Sequence, residues 1–238
     1  MIKKVFLLFL FFISPCYESQ NEDMVLIKGT MKVESFYLDK YEVTMSDFDQ
    51  FQKATDYVST CEKMDSAVVF KPYYQWQKGV SWKHDLKGNL IEDSKYKVLP
   101  VSRITLADAQ AFCKWRGKRL PKKREWLLAA RGENTFKYPG GNRAKVVGWF
   151  DSNSREMKRP VGKKAPNDFG LFDMGGNMAE LVLIDSSEWI EFLGGSFFDD
   201  KDFFENKYLQ NGWQISPNSQ LTSHSPTWGC RCAKDYNE

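Results

Sequence analysis

N-D-F-G-L-F-D-M-G-G-N-M-A-E, Asn167 to Glu180, is the stretch on which the fold turns. Two carboxylates, Asp173 and Glu180, flank the turn-forming run Gly175, Gly176, Asn177. Hard cations such as calcium take several oxygens, and a G-G-N turn lets backbone carbonyls converge with two carboxylates. Short acidic side chains also cap turns routinely, so the residues alone allow a cation loop or a pair of turn caps. Upstream stands G-K-R-L-P-K-K-R-E-W (Gly117 to Trp126), and downstream G-G-S-F (Gly194 to Phe197).

Around these blocks, 238 residues with 42% apolar and 15% aromatic content are enough for one large domain with a sizeable core. Sixteen glycines and eight tryptophans, with few long apolar runs after the N-terminus, favour an irregular α+β fold over a helical bundle. The formal charge of +3 selects no partner class. Residues 1–16 differ in kind: Lys3 and Lys4 precede the apolar run Val5 to Ile13, then Ser14, Pro15 and Cys16. That is a signal-peptide pattern, too short to span a bilayer as a stable helix. It resembles bacterial lipoprotein signals, although Pro15 departs from the small residue usual there, which implies an exported envelope protein, lipidated on Cys16 and held at a membrane or in the periplasm. Simple secretion and an uncleaved anchor are the alternatives. Residues 17–23 are then a polar tether and 24–238 the domain. Export lets disulfides persist. With Cys16 lipidated, Cys61, Cys113, Cys230 and Cys232 remain, an even set with three connectivities; buried free thiols are the alternative.

Met24 to Ile27 and Ser35 to Leu38 read as strands around a turn at Lys28 to Thr30. Tyr41 to Phe51 reads as a helix entry, with Thr44 or Ser46 at the cap and Phe48 and Phe51 on one face. Thr55 to Asp93 is aromatic-rich and poorly periodic, and reads as an ordered loop. Thr105 caps a second helix with Ala109, Phe112 and Cys113 on its apolar face, closed by Gly117 in a left-handed conformation. Pro121 suits the first turn of a third helix carrying Trp126, Leu127 and Ala130, closed by Gly132. Short strands and turns follow.

The run Lys114 to Arg131 holds eight Lys or Arg against Glu125. On amphipathic helices this reads as a solvated face, and no nucleic-acid partner is expected. Two histidines, His84 and His224, exclude a three-histidine site and weaken an iron-centre reading; no G-x-S-x-G supports a serine hydrolase.

The three blocks, in this order, resemble the formylglycine-generating enzyme (sulfatase-modifying factor) family. Y-E-V-T at Tyr41, A-T-D-Y-V-S-T-C-E-K at Ala54, G-V-S-W-K-H at Gly79, A-F-C-K-W at Ala111 and G-C-R-C-A at Gly229 extend the likeness. It implies a C-type-lectin-like α+β fold with little regular secondary structure. It implies one structural calcium, held by Asp173, the backbone oxygens of Gly176 and Met178, and Glu180, because the family's other calcium loop has no counterpart in Trp149 to Val161. It implies a Cys113–Cys232 disulfide; Cys61 with Cys230 follows only by elimination. The family's two copper-binding cysteines correspond to Asp199 and Phe204, and copper(I) selects soft thiolates, so copper is not expected.

Three functions are carried forward. The first is a non-catalytic envelope lipoprotein that binds a protein or glycan partner or acts as a scaffold. The second is an active copper-dependent oxidase that matures sulfatases. The third is a ligand-binding lectin-like module with a pocket rebuilt from Ser196, Asp199, Asp200, Trp213 and Trp228, with Asp202 and Glu205 nearby.

Overall fold

Thr44 and Thr105 each start a helix by the same chemistry. Thr44 Oγ1 accepts from the Asp47 amide at 3.1 Å while the Asp47 carboxylate accepts from the Thr44 amide at 3.0 Å. Thr105 and Asp108 repeat the exchange at 3.3 and 2.8 Å. Both pairs are reciprocal caps that satisfy otherwise orphaned amides. In the computed structural model, which describes residues 23–185, 189–216 and 224–236, these caps open α1 (Met45–Thr55) and α3 (Leu106–Trp115). The expected signal peptide, Cys16 and most of the tether lie outside the described residues.

The remaining elements are short: β1 (Met24–Ile27), β2 (Phe36–Asp39), α2 (Thr60–Lys63), β3 (Ser66–Phe70), β4 (Tyr74–Lys78), α4 (Lys123–Arg131), α5 (Ala144–Val147) and α6 (Asp151–Ser154). The chain continues through β5 (Ala179–Leu183), β6 (Ile190–Leu193), β7 (Trp213–Ile215), β8 (Trp228–Gly229) and β9 (Ala233–Asp235). Three sheets form, in the orders β1-β2-β9, β3-β4 and β7-β6-β5-β8. Within the third sheet β5 and β6 are antiparallel and β5 and β8 parallel.

The central strands are buried on both faces. Leu181, Ile190 and Phe192 join a cluster with Phe48, Phe51 and Phe112, whereas Val182 and Leu193 join another with Phe36, Trp126 and Phe150. Side chains alternate across a strand, so one pair of strands serves two cores.

Two readings change. Thr55 to Asp93 is not a continuous loop: α2 and the β3–β4 hairpin occupy its middle, pairing Ser66 with Lys78 through Phe70 with Tyr74. Pro121 stands before α4 rather than in it, because Lys122 is the extended cap residue and the Pro121 carbonyl accepts from Leu183. Gly117 and Gly132 end their helices at φ +66 and +67°, as expected. The basic run is ion-paired: Arg119 bonds Glu125 and Asp235, and Lys123 bonds Glu191.

Candidate functional site

The loop before β5 is held by side chains from distant segments. Asp173 and Asn177 adopt φ +55 and +57°, a left-handed conformation that Asp and Asn tolerate. Gly176 is required sterically, because an added Cβ would collide with the Trp149 carbonyl. Glu42 staples the turn: its carboxylate accepts from Asn177 Nδ2 at 2.6 Å and from the Met178 amide at 2.9 Å. Burial, with Asp173 and Glu180 nearby, holds the Glu42 carboxyl well above the usual range.

Glu180 Oε2 accepts from Trp126 Nε1 at 2.6 Å and Arg231 Nε at 2.7 Å, and Oε1 accepts from Arg231 Nη2 at 2.6 Å. Arg231 also bonds the carbonyls of Asp39, Lys40 and Phe172, so a wholly buried guanidinium ties β2, the loop and β5 together. Asp173 Oδ2 accepts from the Gly162 amide at 2.7 Å, while Oδ1 is buried with no hydrogen-bond partner among the described residues. Burial pushes its carboxyl up to about 6. Toward the expected calcium, Asp173 Oδ1 offers an unused hard oxygen. Glu180 Oε1 takes one guanidinium N–H and keeps a lone pair, so it would be shared with Arg231. Arg231 was missing from the sequence-based set; its place inside G-C-R-C-A was the available signal.

A cleft of about 640 Å³ is lined by the β3–β4 hairpin and by residues of β7 and β8, the two outer strands of the third sheet. Of the expected pocket residues, Asp199, Trp213 and Trp228 line it. Ser196 lies buried behind them, its amide and hydroxyl donating to Asp199 Oδ2 at 2.8 and 2.7 Å. Asp200 does not line this cleft. It caps the turn Lys201–Phe204, accepting from the Asp202 amide at 2.8 Å, and lines a separate groove with Lys201. Asp202 and Glu205 are elsewhere too, Glu205 paired with Lys137 and Lys207. The reading from sequence missed Tyr74, Trp76, Phe198 and His224, which the hairpin and the C-terminal segment bring to the same cleft.

Cys113 and Cys232 form the expected disulfide, with Cα atoms 5.7 Å apart. Cys61 and Cys230 do not pair: both are buried free thiols, and burial raises the pKa of each.

Comparison with known proteins decides the family, because the sulfatase-modifying factor enzyme 1-like domain matches residues 17–236. The chain belongs to this family. The sulfatase-modifying factor domain is 30% identical to mouse formylglycine-generating enzyme over 66% of this chain and 50% of that protein. It is also 30% identical to the mouse protein named inactive C-alpha-formylglycine-generating enzyme 2, over 62% of this chain and 58% of the relative. The chain thus spans about half to three fifths of the length of these relatives. The crystal structure of CarF superposes with a TM-score of 0.61 at 18% identity, covering 90% of this chain and 93% of CarF. PvdO from Pseudomonas aeruginosa gives 0.62 at 19%, covering 86% and 82%. These structures establish the α+β fold of the family.

Asp199 and Phe204, which the resemblance sets against the family's copper-binding cysteines, have opposite fates in this structure. Asp199 faces the cleft, whereas Phe204 is turned into the core, 5.2 Å from the Tyr138 ring and 5.7 Å from the Phe150 ring. Its ring lies so close over Gly175 that a Cβ there would approach it to 2.5 Å.

Proposed function

We propose that this chain is a divergent, non-oxidising member of the family that uses the former substrate cleft to bind a ligand. The observation that carries this reading is the placement of Asp199 and Phe204. An aspartate oxygen is a hard ligand, and the Phe204 ring offers no ligand atom and has become part of the packing. Cys61 and Cys230 do not line the cleft, and their raised pKa values disfavour thiolates. Similarity alone does not choose, since the relative named formylglycine-generating enzyme and the one named inactive are equally identical to this chain.

The disulfide accords with an oxidising compartment, which supports the expected exported, Cys16-anchored envelope protein. The loop Asp173, Gly176, Met178 and Glu180 is proposed to take one calcium, whose charge would satisfy the unpartnered Asp173 oxygen.

The test is a C-x-P-x-R peptide incubated with the protein, copper(I) and oxygen and followed by mass spectrometry. The thiol is expected to survive unchanged. Enzyme-dependent conversion of the thiol to an aldehyde, abolished by Cys230→Ser, would overturn the non-oxidising reading.

A further inference from the structure

The cleft is aromatic on nearly every side and carries one carboxylate. β4 supplies Tyr74 and Trp76, β7 supplies Trp213, β8 supplies Trp228, and Phe198 and Asp199 follow the G-G-S-F block. Trp76 and Trp213 are 54% and 53% exposed and Tyr74 is 50% exposed. Single exposed aromatics are ordinary, but large rings from separate strands converging on one concave surface mark a binding site.

The charge around these rings is one-sided. No lysine or arginine is among the described residues that line the cleft, and Asp199 is the only acidic one. Its carboxylate is fixed, because both Ser196 hydrogen bonds fall on Oδ2, and among the described residues no hydrogen bond to Oδ1 competes with a ligand. Burial, with the Asp151 carboxylate nearby, raises the Asp199 pKa, and a bound cation would favour its ionised form. His224 is 3% exposed, its ring lies edge-on to Trp76 with centroids 5.2 Å apart, and neither ring nitrogen has a partner among the described residues. Burial lowers its pKa, which keeps the imidazole neutral and unopposed to a cation.

Other ligand classes fit less well. An anion would meet Asp199 with no lysine or arginine to receive it. A sugar could stack on the tryptophans and hydrogen-bond His224 and Asp199, but it would make no use of the carboxylate's charge. An organic cation is attracted both by the negative faces of the rings and by the carboxylate.

We infer that this cleft binds a quaternary ammonium group on a small molecule, with the faces of Tyr74, Trp76 and Trp213 enclosing it and Asp199 as its counter-ion. The inference rests on the cleft being a ligand-binding site.

The experiment titrates the full-length protein with choline and with its uncharged carbon isostere, 3,3-dimethylbutan-1-ol, and reads tryptophan fluorescence and heat. Choline is expected to bind at least about tenfold more tightly than the isostere. Asp199→Asn and Trp213→Ala should each weaken choline by a similar factor while melting like the parent. The isostere pair needs no variant, so a misfolded variant does not compromise the test. Equal binding of choline and isostere overturns the cation assignment and leaves the ligand-binding reading standing. Undetectable binding of both also overturns the assignment. Conversion of the cysteine peptide in the separate oxidation assay would overturn the non-oxidising reading itself.

Discussion

Lys158 is buried, and its Nζ hydrogen-bonds Ser102 Oγ at 3.2 Å with no carboxylate in ion-pair range among the described residues. Burial, reinforced by Arg103, pushes its pKa down to about 7 from the 10.5 of an exposed lysine. Below 10.5 the unfolded chain takes up a proton that the folded chain refuses, so stability falls as pH drops toward 7 and levels off below it. Lys158→Met should therefore raise the melting temperature, and more at pH 6 than at pH 9. The gain at pH 6 is on the order of 4 kcal/mol, from the linkage of pKa to stability. An equal gain at both pH values, measured by calorimetry, would refute the neutral-lysine account. None of this was legible in K-R-P-V-G, because a lysine's burial is decided by partners far away in the chain. Asp199, Trp213 and Trp228 were legible, since they stand in or near a recognisable block.

Among the elements, α1 and α3 were readable because a threonine followed three residues later by an aspartate, ahead of spaced aromatics, is a local signal. The β3–β4 hairpin was not. Its second strand, Y-Q-W-Q-K, presents half-exposed aromatics to the cleft, so it lacks the clean apolar face that identifies a strand, and Trp76 and Tyr74 were lost with it. The loop into β5 was readable in outline but not in its pairing with Glu42 and Arg231, which come from opposite ends of the chain. Calcium should raise the melting temperature of dialysed protein, because binding to the folded state alone stabilises by about 2.7 kcal/mol at a hundredfold excess over Kd. Asp173→Ala should abolish that rise. Identical melting in calcium and in chelator would leave the loop as a set of turn caps.

At the scale of the molecule, the disulfide joins α3 to the segment entering β9 across 119 residues. The chain-entropy account gives such a link about 5 kcal/mol, less any strain. Replacing Cys113 and Cys232 together with serine should lower the denaturant midpoint accordingly, and an unchanged midpoint would overturn that estimate. The same region holds β9 against β2, pairing Phe36 with Asp235 and Leu38 with Ala233. One of the first strands to be synthesised therefore waits for one of the last. Until the chain through Asp235 is in place, β2 keeps an open edge, Cys113 lacks its partner and Glu180 lacks the guanidinium of Arg231. A nascent chain stopped at Trp228 would expose an unpaired edge and a buried carboxylate without its counter-ion. The domain should thus be vulnerable to proteases while it folds and resist them only after β9 has docked on β2.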